Sequence, residues 1–129
     1  MYEYLEQTRS AALDSNKDLW MFIQSTGQDG EMIVPNEDQL RYQIYPALAY
    51  GLKGYMYFTY NTVPYRGFHD ALILPDGTRN DTYEWAKQIN GEVLKLGPTL
   101  LSLKSQAVYH TGNEVFRIRL RCRQTSCGR

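Results

Sequence analysis

The spacing of hydrophobic positions changes along this chain, and each change marks an element. Residues 2–15 set Leu5, Thr8, Ala12 and Leu13 on one side and Glu3, Glu6, Arg9 and Asp14 elsewhere, the spacing of an amphipathic helix. Asn16-Lys17-Asp18 ends it. Leu19 to Ser25 is a short, nearly continuous apolar run between polar clusters, which reads as a strand buried on both faces of a parallel sheet. After a loop with Gly27 and Gly30, Asn36 and Gln39 form an Asn-x-x-Gln capping box. The helix that it opens carries Leu40, Ile44, Ala47 and Leu48 as its buried stripe, holds Pro46 inside and stops at Gly51. Leu52 to Tyr60 is aromatic-rich and reads as a second strand. A long loop, Asn61 to Asp81, contains the turn signal Pro75-Asp76-Gly77 and room for a small hairpin through Ala71 to Leu74. Asp81 and Glu84 then cap a third helix, striped by Tyr83, Ala86, Ile89, Val93 and Leu94, with Gly97-Pro98 as its stop.

Strands alternating with helices of about a dozen residues form βαβ units, which cross over right-handedly into a parallel sheet. Two such strands want partners on both edges. The predicted fold is therefore α/β, a partial (β/α)8 barrel: two parallel βα units, with strands at about 19–25 and 52–60, and flanking helices. A whole barrel takes about 250 residues. At 129 residues the chain has the size of the last third or half of one, and its open sheet edges predict self-association.

Composition narrows the class of protein. With 43% hydrophobic and 22% charged residues and no formal net charge, the chain reads as one soluble globular unit and not as a disordered or collagen-like segment. No window approaches the roughly 18 apolar residues of a membrane span. The opening, Met1-Tyr-Glu-Tyr-Leu-Glu-Gln7, lacks a basic start and an apolar signal core, so no membrane and a cytoplasmic location are expected. The aromatic share of 13% fits either an aromatic-lined cleft or a dense core.

Charge and cysteine divide the chain. Residues 1–116 hold nine bases against all 14 acids, while Arg117, Arg119, Arg121, Arg123 and Arg129 make the end basic. Cys122 and Cys127 both lie there, so the body has no thiol for a disulfide, metal site or nucleophile. The expected organisation is a barrel-like segment over 1–112 and a basic tail over 113–129. That tail reads as vector-derived or frameshifted sequence, with a native strand or a binding arm as alternatives; no nucleic-acid partner is expected.

Several segments resemble the C-terminal part of barrel glycoside hydrolases of the beta-galactosidase-like type. They are Leu19 to Ser25, the helix Asp38-Gln-Leu-Arg-Tyr-Gln-Ile-Tyr-Pro-Ala-Leu-Ala-Tyr-Gly-Leu-Lys-Gly54, the strand Tyr55 to Tyr60, Leu74-Pro-Asp-Gly-Thr78, Ile89-Asn-Gly-Glu-Val-Leu-Lys-Leu-Gly-Pro98 and Ala107-Val-Tyr-His-Thr111. The resemblance implies that the two strands are the seventh and eighth of a barrel whose parent hydrolyses a β-linked glycoside such as a galactoside. Barrel enzymes place their chemistry at the C-terminal strand ends. That expectation puts Gln24, Ser25, Thr59, Tyr60 and Asn61 at the mouth, below a loop carrying Tyr65, Phe68, His69 and Asp70.

Retaining glycosidases need two carboxyl groups about 5–5.5 Å apart, one as nucleophile and one as acid/base. The resemblance implies a nucleophilic Glu at the end of strand seven, where this chain has Gln24, which cannot ionise. The acid/base from strand four would lie upstream of Met1. The catalytic pair is thus expected to be incomplete, with Asp70 beside His69, and loop residue Glu31, as the candidates that remain; Asp29 reads as a solvated loop acid. The expected sugar-binding residues are Gln24, Tyr60, Asn61, Tyr65 and His69. No cofactor is expected: His69 and His110 have no metal-ligand spacing, Ser25 has no nucleophile elbow, and the glycines match no phosphate or dinucleotide loop. Two other readings stay open, a non-catalytic carbohydrate-binding or interaction module and a short open reading frame acting indirectly on stress tolerance.

Overall fold

In the computed structural model, residues 1–110 are described, so the basic tail of 113–129 and its two cysteines lie outside them. Helix α1 spans Tyr2–Ser15, strand β1 Leu19–Gln24, and the two-residue strand β2 Gly27–Gln28. Helix α2 (Glu37–Ala49), strand β3 (Leu52–Phe58), two-residue strand β4 (Phe68–His69) and helix α3 (Asp81–Ser102) follow. Strands β1 and β3 pair in parallel, with Trp20 beside Gly54, Phe22 beside Met56 and Gln24 beside Phe58. Strands β2 and β4 pair antiparallel in a second small sheet. The architecture is mixed α/β with two two-stranded sheets, and the described residues close no barrel.

Local chemistry explains where α2 begins and ends. The Asn36 side chain accepts from the Gln39 amide at 2.9 Å while the Gln39 side chain accepts from the Asn36 amide at 2.9 Å, a complete capping box. Gly51, at φ 91°, supplies the left-handed turn that releases the chain into β3. Pro46 remains inside the helix. Leu40 and Ile44 of α2, Ile89 of α3 and Ile23 of β1 are fully buried together, with Tyr55 and Tyr57 of β3 packed against them. Both phenols donate to Asn90 Oδ1, at 2.6 and 2.9 Å. Burial pushes both above the ordinary tyrosine range. A second cluster joins Leu5 of α1 to Ala47, Tyr50 and Leu52.

Three expectations need correction, and one, the small hairpin, holds. The two strands are not buried on both faces: the helices cover one side only, and Trp20, Phe22, Met56 and Phe58 stand exposed on the other. Strand β3 stops at Phe58, two residues early, where the Phe58–Thr59 peptide is cis. The small hairpin through Ala71 to Leu74 does form: Ile73 bridges Arg79 antiparallel around Pro75-Asp76-Gly77, the Leu74 amide donates to the Thr78 carbonyl at 2.9 Å and the Asn80 amide to the Leu72 carbonyl at 3.0 Å, while Phe68–His69 pairs with the segment after β1. Helix α3 is capped by Asn80, whose side chain accepts from the Asp81 amide, and it runs through Gly97-Pro98 to Ser102. Its final turn is held from outside. The Lys53 ammonium donates to the carbonyls of Leu100, Leu101 and Leu103 at 2.6, 3.1 and 2.5 Å.

Arg9 is buried although its charge predicts exposure. Its guanidinium pairs with Glu6 and donates to the carbonyls of Ser105 and Gln106 at 2.9 and 2.7 Å, so each of its three nitrogens has a partner. No helix among the described residues is long and apolar enough to cross a membrane.

Candidate functional site

The segments after β1 and β3 are knitted together at the C-terminal ends of the two strands. The Ser25 amide extends the ladder by donating to the Phe58 carbonyl at 2.8 Å, and the Ser25 hydroxyl donates to the Thr59 carbonyl at 2.9 Å. The Thr26 hydroxyl donates to the His69 carbonyl at 2.7 Å. Both side chains are fully buried, so these hydroxyls act as internal staples rather than as reactive groups. Together they carry the β4 segment across the strand ends.

His69 is positioned by what lies beneath and beside it. A side chain at Gly27 would bring its Cβ within 2.5 Å of the imidazole Cε1, so the ring occupies the space that the missing Cβ leaves. Its Nδ1 is 3.0 Å from Asp70 Oδ2, and its Nε2 is 3.7 Å from Asp29 Oδ1. Asp29 is held in turn by its backbone amide, which donates to the Gly67 carbonyl at 3.0 Å. Gly67, at φ 74°, lies so close to Asp29 that a Cβ there would meet Oδ2 at 2.9 Å. Asp70 adopts φ 51°, a left-handed conformation that Asp tolerates, and Asn80 donates to its carbonyl at 3.2 Å. The outcome is an Asp29–His69–Asp70 row on paired loops.

The other expected site residues divide around this row. Tyr60 and Tyr65 are exposed, and the Arg66 guanidinium lies 5.1 Å from the centre of the Tyr65 ring. Asn61 is exposed, with its carbonyl accepting from the Thr59 hydroxyl at 2.7 Å. Gln24 is half-buried, and its amide nitrogen donates to the carbonyls of Thr26 and Ile33 at 3.0 and 2.7 Å. The Gln43 amide closes the Gln24 backbone N–H and carbonyl at 2.8 and 3.2 Å. Gln24 therefore braces the loop. Glu31 is exposed and lies in the same loop, but the carboxylate that meets His69 is that of Asp29.

Asp29 enters the site where a solvated loop acid was expected, and Thr26 and Gly27, which no chemical motif singled out, position His69. The signal was local: two small hydroxyl residues and a glycine directly after a buried strand mark a close backbone approach. Asp29 had no such signal, because its partner His69 lies on the other side of a helix and a strand.

Among the described residues no group of His, Cys, Asp and Glu has the arrangement of a metal site. A cavity of about 180 Å³ opens at the opposite end of the strands, lined by Arg9, Leu19, Tyr50, Lys53 and Lys104. Lys53 is already committed there to carbonyls of the last turn of α3 and Arg9 to carbonyls of the segment after it, so this cavity is a structural join. No protein family, curated protein or solved structure matches this chain.

Proposed function

We propose that the chain is a carbohydrate-binding piece of a beta-galactosidase-like barrel, with part of a sugar-binding mouth and no complete catalytic pair. One observation carries this reading: the Asp29–His69–Asp70 row lies on the loops that follow the C-terminal ends of two parallel strands, and the loop after β3 also carries exposed Tyr60 and Tyr65. Carboxylate oxygens accept from sugar hydroxyls, and an aromatic face stacks on the apolar C–H surface of a pyranose ring. The chemistry of the row favours binding over hydrolysis. In a glycosidase the gap between the two carboxyl groups admits the sugar or a water. Here the imidazole fills the space between Asp29 and Asp70, and Gln24 is spent on backbone carbonyls.

The test is titration of the full chain with methyl β-galactoside and methyl β-glucoside by NMR, beside turnover of the corresponding nitrophenyl glycosides. The reading predicts saturable shifts at Tyr60 and His69, weakened about tenfold in Tyr60→Ala in line with loss of one stacking contact, and no turnover. Turnover abolished in both Asp70→Ala and Glu31→Ala would make the chain an autonomous O-glycosyl hydrolase instead. Absence of saturable binding to either sugar would remove the proposal.

A further inference from the structure

The bare side of the β1–β3 sheet carries Trp20, Phe22, Met56 and Phe58, exposed by 59, 61, 47 and 41%. Register places them side by side: Phe22 lies next to Met56, and Trp20 lies next to Gly54, whose missing side chain leaves room for the indole. The opposite side is covered by α2 and α3. Scattered exposed apolar residues are ordinary, but a contiguous row on a flat sheet marks an interaction surface. No carboxylate, amide or hydroxyl side chain stands among the four, so the face is suited to apolar packing more than to orienting a sugar.

We propose that this face binds a second copy of the chain, sheet against sheet across a two-fold axis. Two properties point to self-recognition. The face carries no charge, so juxtaposing it with itself opposes no like charges, and isologous two-fold contacts are the commonest form of self-assembly. Its extent is also sufficient. At about 150–250 Å² per large side chain, the exposed parts come to roughly 450 Å² per copy. Two copies then remove about 900 Å² of side chain, and the surrounding backbone brings the contact to the roughly 1,000 Å² that a specific interface needs. Facing sheets pack about 10 Å apart, a spacing that interdigitated Trp, Phe and Met side chains fill. In a barrel this face points inward and is packed; in the dimer the second copy occupies that side, and sugar binding at the strand ends is tested separately.

Sedimentation velocity of the full chain over a low- to high-micromolar range tests it, together with fluorescence of a Trp85→Phe variant in which Trp20 is the sole indole. The expected result is a monomer–dimer equilibrium, with Trp20 shielded from acrylamide as concentration rises. Phe22→Asp sets two like charges across the axis and is expected to weaken association about a hundredfold. Because Phe22 is exposed, the thermal transition of the diluted protein should stay in place. A monomer at all concentrations with Trp20 open to quencher would overturn the proposal. So would association that survives both Phe22→Asp and Met56→Asp, or open-ended polymers built through the sheet edges.

Discussion

The imidazole of His69 rests on Gly27, and a Cβ at that position would lie 2.5 Å from Cε1 and 2.9 Å from Val34 Cγ2. Gly27→Ala therefore has to displace the ring or the valine. Overpacking of this kind costs about 1–3 kcal/mol, and in a domain of this size each kcal/mol lowers the melting temperature by about 4 °C. We expect a destabilised but folded variant in which the His69 ring resonances shift and sugar titration is lost. Unchanged His69 resonances in Gly27→Ala would show that the ring does not depend on the glycine.

Glu92 of α3 and Arg41 of α2 form a two-pronged ion pair, at 2.6 and 3.0 Å, that ties the two helices together. Arg41, then the Tyr45 hydroxyl and Gln88, hold the Glu92 carboxyl down to about 2. The ionised form is favoured by folding, so the stabilisation is present above the ordinary Glu range and is lost as pH falls toward about 2. Urea midpoints measured between pH 5 and pH 2 should fall steeply for the native chain. They should fall less for Glu92→Gln, which lacks this titration. Parallel profiles would refute the linkage.

The α3 stripe gives a sharper contrast than its sequence reveals. Ile89 is fully buried between Ile23, Leu40 and Ile44, whereas Leu94, on the same expected stripe, is 76% exposed. Ile89→Ala removes buried methyl groups and is expected to cost about 2–5 kcal/mol. Leu94→Ala should stay within about 0.5 kcal/mol. Chemical denaturation of the two variants side by side checks both values, and equal losses would contradict the packing.

What the sequence revealed and what it hid follow from the range of the interactions involved. The apolar runs that make the two strands and the Asn36–Gln39 box depend on neighbours within a few positions and are reported directly by sequence, and the parallel pairing of the strands follows from the helix between them. Arg9 depends on the Ser105 carbonyl 96 positions away, so its charge alone misplaced it. The bare face of β1 and β3 has the same composition as a doubly buried strand. Only the absence of a covering layer among the described residues distinguishes the two. At the site, adjacency made His69–Asp70 legible, whereas Asp29 joins them only through the pairing of β2 with β4.

The Lys53 ammonium is a further long-range tie, and it accounts for the extension of α3 past a sequence that should end it. Gly97 and Pro98 weaken the helix there, because Pro98 has no N–H to donate back along the turn. The carbonyls that the final turn leaves open are collected by Lys53, a cation at the negative end of the helix dipole. Lys53→Met keeps the apolar stem and removes the charge, with an expected cost of about 1 kcal/mol. The loss should be local. Amide exchange at residues 99–103 should accelerate, while protection at Ala86 and Ile89 stays near that of the native chain. If residues 99–103 remain equally protected in Lys53→Met, the helix holds its last turn without the lysine, and another cause must carry it past Pro98.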